Sequence, residues 1–277
     1  MSSRPFFADN LVQGENGCWF SKVSERVSYP DEGNEACFQV EDDSFWFQHR
    51  NRFITHVVQA FPPAGPIFDV GGGNGYVAAG LTAHGMDVVL VEPGRTGAMN
   101  ARRRGLKHVI CATLESAGFR PGSIPAVGLF DVLEHVEGDV AFLKTLHSLL
   151  RPKGRLYLTV PAYNWLWSVE DDAAGHARRY TLGSLTANLQ LAGFGVDFKS
   201  YMFAFLPVPV LLFRTLPSKI GSREPLEAER MKQEHTQHGW GRALIENLLH
   251  AELSLVRRGR GIPWGTTCIV AAWKVDA

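Results

Sequence analysis

From Pro66 to Phe203 the chain alternates short apolar runs with segments of helical length. The runs fall near 66–70, 87–91, 108–111, 125–130, 154–160 and 197–203, and a last one spans Thr266 to Lys274. Continuous apolar runs suit strands covered on both faces, so this alternation predicts a mostly parallel sheet with helices on either side. Ahead of it, Asp43 to Phe61 carries aromatic and aliphatic residues at helical spacing, with Asp43 or Ser44 available as a cap. That stretch predicts a helix whose aromatic stripe packs into the core. Residues 1 to about 40 are polar and aromatic by turns, with a loop marked by Pro30 to Asn34, and predict an ordered extension.

At 277 residues the chain suits one domain with additions. Residues 1–62 form the extension and aromatic helix, 63–277 the main domain, and 204–265 an insertion between the last two strands. The insertion opens with a strongly apolar segment, 201–217, broken by Pro207, Pro209 and Pro217 and too short to span a bilayer. Three readings stay open for it: a packed lid, a subunit surface, or contact with lipid. Ser218 to Gly241 is polar and expected to be mobile, whereas Ala243 to Arg257 is an amphipathic helix expected to cover the sheet.

The 28 basic and 28 acidic residues cancel, which leaves no global field to attract a polyanion. Local clusters at 101–105, 178–179 and 257–260 are short, and no long basic stripe with interleaved aromatics exists, so nucleic acid is disfavoured as a partner. The start lacks the apolar run of a secretory signal and no apolar stretch is long enough for a membrane helix, which predicts a cytoplasmic protein. Cysteines 18, 37, 111 and 268 have no CxxC pairing and are expected to be reduced thiols. No Asp, Glu and His cluster has clear metal spacing, so no essential metal is expected. A monomer or a homodimer fits equally.

The chemistry concentrates at strand ends. Pro66 to Tyr76 runs a strand into a glycine cluster and then a helix, a junction that brings backbone close to a nucleoside-containing ligand. Glu92 ends the next strand, 23 residues after Asp69, where a doubly wound sheet grips ribose hydroxyls. The series IFDVGGGNG (67–75), VVLVEPG (88–94), GLFDVLEHV (128–136) and LLRPKGRLYLTVP (149–161) resembles the class I S-adenosylmethionine-dependent methyltransferases, especially those acting on small molecules. The resemblance covers roughly residues 50 to 200. It implies a Rossmann-like, seven-stranded, mostly parallel sheet with an antiparallel last strand, and S-adenosylmethionine as methyl donor with S-adenosylhomocysteine as product. The run GGGNGY departs from the GxGxxG expected of a nicotinamide enzyme.

The resemblance implies a donor site as follows. Gly71, Gly73 and Gly75 approach the amino-acid half of the cofactor, Asp69 helps hold its ammonium, and Glu92 accepts both ribose hydroxyls, while Pro93 turns the chain away from the adenine. Where relatives place an acid for the adenine amino group this chain has Ala112, so that contact is assigned to backbone at Thr113 and Leu114, or to Glu115. Asp131 and His135 look toward the cleft, Val132 and Leu133 lie over the methionine part, and Glu134 supports backbone.

On the acceptor side, the segment after the fifth strand holds Tyr163, Trp165, Trp167 and the ending His176-Ala-Arg-Arg-Tyr180, more than a solvent loop needs. HxRRY endings occur in a subset of the resembled family and help build its acceptor pocket. Tyr163, Trp167 and Phe47 are the expected walls, with Arg179 and Tyr180 orienting. His176 or His135 is the expected proton acceptor, an imidazole being suited to that task by its ordinary pKa of about 6.5. Equally open is a bracing role, with Arg178 and Arg179 paired to Glu170–Asp172. The implied acceptor is a small, partly hydrophobic or lipid-like molecule with an O, N or C nucleophile. The alternatives are a protein or RNA acceptor and a silent cofactor-binding interaction protein.

Overall fold

The computed structural model describes residues 7–14, 16–23, 31–221 and 240–276. One nine-stranded sheet, of order β1-β2-β5-β4-β3-β6-β7-β9-β8, organises the chain. Its strands are β1 (Leu11–Gln13), β2 (Trp19–Ser21), β3 (Ile67–Val70), β4 (Val88–Val91), β5 (Val109–Cys111), β6 (Ile124–Phe130), β7 (Leu150–Pro161), β8 (Phe194–Met202) and β9 (Thr267–Lys274). The helices are α1 (Asp31–Val40), α2 (Phe45–Ala60), α3 (Tyr76–Ala83), α4 (Arg95–Arg103), α5 (Leu114–Ala117), α6 (Asp139–Leu149), α7 (Val169–Ala174), α8 (Leu182–Leu191), α9 (Pro207–Val210), α10 (Leu216–Lys219) and α11 (Trp240–Arg257).

Strands β2 to β7 pair in parallel, while β9 runs antiparallel between β7 and β8. The fold is the expected Rossmann-like α/β sheet, and the two short N-terminal strands extend it by an antiparallel pair at the β5 edge. Those strands were not foreseen, because three residues are too few to display a period. Pro30 to Asn34 was read as a loop, yet helix α1 begins at Asp31. The polar stretch of 218–241 lies largely outside the described residues.

Every residue of β3, β4 and β6 is buried. Alternate side chains feed two cores: Phe68 and Val70 join one, while Ile67 joins the other with Phe53, Ile54, Val57 and Val58 of α2. Asp69, in phase with Ile67, therefore faces the layer that holds α2. Ser44 supplies the N-cap of α2 by accepting from the Phe47 amide at 3.3 Å. Glu252 on α11 is buried and accepts from the Phe203 amide at 3.0 Å, from the Ala204 amide, and from His49 Nε2 at 3.1 Å, tying α11, β8 and α2 together. No helix among the described residues is long and apolar enough to cross a membrane.

The inserted segment 207–219 is helical throughout, with a π-helical turn at Leu211–Thr215 just before Pro217, which has no N–H for the regular ladder. It packs on the 164–169 loop, where Thr215 donates to the Leu166 carbonyl at 3.0 Å and Ser218 Oγ accepts from the Val169 amide at 3.3 Å. Its other side exposes Val208, Leu212, Phe213, Leu216 and Ile220. Cysteines 18, 37, 111 and 268 are free.

Since Phe53 is fully buried, Phe53→Ala should destabilise the protein by about 3–5 kcal/mol. Urea unfolding measures it, and a loss below about 1 kcal/mol would show that α2 is not part of the core.

Candidate functional site

The strand order reverses around β3, which lies between β4 and β6, so a crevice opens beyond the carboxyl ends of these strands. Backbone there leaves the sheet abruptly. Gly71 after β3, Asp131 after β6, Tyr163 after β7 and Phe203 after β8 all have φ between 56° and 67°. Three of the four are not glycine, and such conformations persist only where surrounding contacts impose them.

The glycine turn explains itself sterically. A Cβ on Gly71 would lie 2.7 Å from Val132 of the β6 loop, and one on Gly75, the αL residue that starts α3, would lie 2.6 Å from Leu106. Gly72, not singled out in the sequence, is equally constrained, because its Cβ would run into Leu90 and the Asp69 carboxylate. Gly73 has φ 53° and donates its amide to Glu92 Oε2 at 2.8 Å. The Gly94 amide donates to Glu92 Oε1 at 2.7 Å, so both oxygens of Glu92 are fixed by backbone and keep further lone pairs. Pro93 between them is half-buried. Asn74 is held from two sides, donating to Glu41 at 3.3 Å and accepting from Asn100 at 3.0 Å, and Arg104 pairs with Glu41 at 2.8 Å.

Asp69 is the anomaly of this region. It is 1% exposed, and neither carboxylate oxygen has a hydrogen-bond partner among the described residues. Burial raises its pKa to about 7 against the opposing charge of Arg50, with Glu92 adding to the rise and the Ala78 amide, near but outside hydrogen-bond geometry, tempering it. Arg50, absent from the sequence expectations, pairs with Asp131 Oδ2 at 2.7 Å and donates to Thr159 Oγ1 at 3.3 Å. Thr159 in turn donates to Asp131 Oδ1 at 2.8 Å, and Arg50 lies 5.5 Å over the Trp46 ring. The Arg50 charge also acts on Glu134, so one buried cation links the glycine turn to the β6 loop.

Thr113 caps α5 with its side chain and donates its amide to Ser116 Oγ at 3.0 Å. Leu114 is buried and Glu115 exposed. Ala112 is buried as well, and no acid stands there.

Beyond β6, Glu134, His135 and His176 meet. Glu134 is buried, and burial followed by the Asp131 charge holds its carboxyl well above the usual range. The rings of His135 and His176 lie 4.9 Å apart, edge to face. His135 reaches solvent, yet the protein crowded around its ring and the neighbouring His176 lower its pKa. His176 Nδ1 contacts Asp171 Oδ1 at 2.8 Å, and Arg179 grips the same carboxylate at 2.7 and 2.9 Å. Despite its burial, Asp171 is held down to about 2 by hydrogen bonds from His176 and Arg179 and by the Arg179 charge.

The two arginines thus divide. Arg179 does brace the loop through Asp171, whereas Arg178 pairs with Asp139 at 3.0 Å and not with Glu170–Asp172. Tyr180 is buried and donates to Asp139 at 3.0 Å, which places it behind the loop. Trp167 donates to Asp172 at 3.0 Å. Tyr163 stacks on Tyr201, Trp165 and Trp264 at 5.1–5.4 Å. Phe47 packs edge-on against Trp46 at 4.9 Å and Tyr76 at 6.0 Å, beside the glycine turn. Arg50 escaped the sequence reading because a buried charge shows its meaning only through distant partners.

Fold and site together define a class I nucleoside-cofactor sheet. Residues 45–197 match the family model described as a methyltransferase domain, and the chain belongs to that family, the class I S-adenosylmethionine-dependent methyltransferases. It is 28% identical over 103 residues to a ubiquinone biosynthesis O-methyltransferase of Xanthomonas campestris pv. campestris, a match covering 35% of this chain and 43% of that one. The chain thus spans less than half the length of the curated relatives it matches. Among solved structures it resembles a Thermotoga maritima methyltransferase with a TM-score of 0.54 and 17% identity over 88% of this chain and 96% of that one. It also resembles Haemonchus contortus phosphoethanolamine N-methyltransferase 2, crystallised with S-adenosyl-L-methionine, with a TM-score of 0.54 and 16% identity over 92% of this chain and 61% of that one. At these identities the likeness is one of fold.

Asp69 generates a signed pH prediction for the free protein. Its folded pKa of about 7 lies above an unfolded value near 3.8, so its contribution is most favourable below pH 4 and is lost as pH rises through 7. Asp69→Asn should therefore gain stability relative to wild type between pH 4 and 7, by up to about 1.4 kcal/mol per pH unit. Urea unfolding at several pH values tests this. A difference between the two proteins that does not vary with pH would contradict it.

Proposed function

We propose that the protein transfers a methyl group from S-adenosylmethionine to a small, partly apolar acceptor in the crevice beyond β3, β4 and β6. The observation that carries the reading is the unpartnered buried carboxylate of Asp69 beside a glycine turn braced by Glu92. A cationic ammonium answers the Asp69 anion, and the two carboxylate oxygens of Glu92 match two vicinal hydroxyls. The cofactor meets both demands at once, and its bound sulfonium supplies an electrophilic methyl.

The chain's own residues then do little chemistry and much positioning. Gly71, Gly72 and Gly75 leave room that side chains would fill. Arg50, fixed by Asp131 and Thr159, keeps the donor and acceptor sides in register. Glu134, His135 and His176 form the polar end of the acceptor side, where a nucleophile can lose its proton. Asp171 holds His176 with Nε2 turned away from the Nδ1 contact. The exposed apolar face of 207–220, stacked against the loop that carries this cluster, supports an acceptor that is itself partly apolar or met at a lipid surface.

Glu92→Ala should weaken S-adenosylhomocysteine binding by about 1–4 kcal/mol in calorimetry, since it removes the ribose acceptor and the brace of the turn. A screen with methyl-labelled cofactor against hydroxyl and amine metabolites, with and without lipid extract, should label a small molecule. Labelling confined to protein or RNA, or tight binding of NAD in place of S-adenosylhomocysteine, would refute the proposal.

A further inference from the structure

Alignment alone accounts for methyl transfer without the particular chemistry of Glu134, His135 and His176. One ligand atom from each of the three lies within 4.8 Å of the others. Glu134 is 1% exposed, and its Oε2 has no hydrogen-bond partner among the described residues, a costly state for a carboxylate unless a cation meets it. His176 spends Nδ1 on Asp171 and has Nε2 left as a ligand atom, the carboxylate-to-imidazole support by which proteins aim metal-binding histidines. The support is itself rigid, because Asp171 also receives Arg179 at 2.7 Å and the Ser168 amide at 2.9 Å. The backbone locks the two ligand-bearing segments together, with the Ala177 amide donating to the Glu134 carbonyl at 2.7 Å. Asp131 stays outside the set, engaged by Arg50.

We propose that Glu134, His135 and His176 bind one divalent first-row transition-metal ion that holds and activates a hydroxyl oxygen of the acceptor. Two imidazole nitrogens and one carboxylate oxygen suit Mn²⁺, Fe²⁺, Co²⁺ or Zn²⁺ better than Ca²⁺ or Mg²⁺, which favour oxygen ligands. Glu134 is the deep ligand and His135 is exposed, so the open coordination positions face outward, where an acceptor can reach them. The acceptor half of this inference rests on the methyl-transfer reading, whereas the cation site stands without it.

Bound to the cation, the hydroxyl is more acidic and gives its proton to water. The oxygen then forms a bond to the methyl carbon as the carbon–sulfur bond breaks, its electron pair remaining on sulfur. The sulfonium becomes a neutral thioether and the cation is unchanged. On this proposal an oxygen nucleophile is the acceptor class.

The test uses the full chain stripped with EDTA and titrated with Mn²⁺ and with Zn²⁺ by calorimetry, beside Glu134→Gln, His135→Ala and the remote, exposed His250→Ala. The expected result is one ion per chain, held about 10-fold or more weakly in the first two variants and normally in the third. No stoichiometric binding, or binding indifferent to Glu134→Gln and His135→Ala, overturns the site. S-adenosylhomocysteine affinity on the same stripped protein separates the readings: nucleoside binding without the ion removes only the cation, and ion binding without nucleoside binding removes the methyl-transfer reading and the acceptor role with it. With a hydroxyl acceptor from the screen, chelation should lower turnover at least about 10-fold and Mn²⁺ should restore it. Equal turnover in both states overturns the cation's role in the reaction.

Discussion

A carboxylate buried without a donor is a liability for any fold, and at Asp69 this chain accepts it in the middle of its sheet. Much of the surrounding structure is arranged around that constraint. Gly72 makes room for the carboxylate, and Glu92 keeps the turn in place through two amides. Arg50 lies close enough to temper the charge and yet is committed to Asp131 and Thr159. The guanidinium cannot swing over to satisfy Asp69 without abandoning a pair that is itself largely buried. The Asp69 carboxylate is thus left without a direct cationic partner from the protein, which suits it to the ammonium of the proposed cofactor.

The same arginine explains why the N-terminal helices belong to the site. Helix α2 brings Trp46, Phe47 and Arg50 to the crevice, and Glu41, just after α1, anchors Asn74 of the glycine turn. Two strands from the extension complete one sheet edge. On the opposite side of the crevice, Asp171 organises His176 and Arg179 much as Asp131 organises Arg50 and Thr159. Each half of the site is therefore ordered by an acid, fully buried at Asp171 and partly buried at Asp131.

What was legible in the sequence follows from locality. A strand buried on both faces must be a continuous apolar run, and a turn with φ near 70° is most easily made by glycine, so β3, β4, β6, Gly71 and Gly75 could be read directly. Glu92 was readable because it closes a strand at a set distance from the turn. By contrast, the partners of Arg50 lie some 80 and 109 positions downstream, at Asp131 and Thr159, and no period in the chain announces them. The Glu134, His135 and His176 cluster escaped for the same reason. Glu134 and His135 come from one loop and His176 from another, so their meeting leaves no signature in sequence spacing. The three-residue strands β1 and β2 were invisible because a period of two needs more than three residues to appear.

The central claim is that Asp69 is the anionic socket for the cofactor's ammonium, and its own titration tests this most directly. Carbon-13 NMR of the Asp69 carboxyl, assigned with Asp69→Asn, should give a pKa near 7 in the free protein. Saturation with S-adenosylhomocysteine should lower it by about 2 units or more as the ammonium takes its place beside the carboxylate. An ordinary pKa in the free protein, or one that the ligand leaves unchanged, would contradict the account.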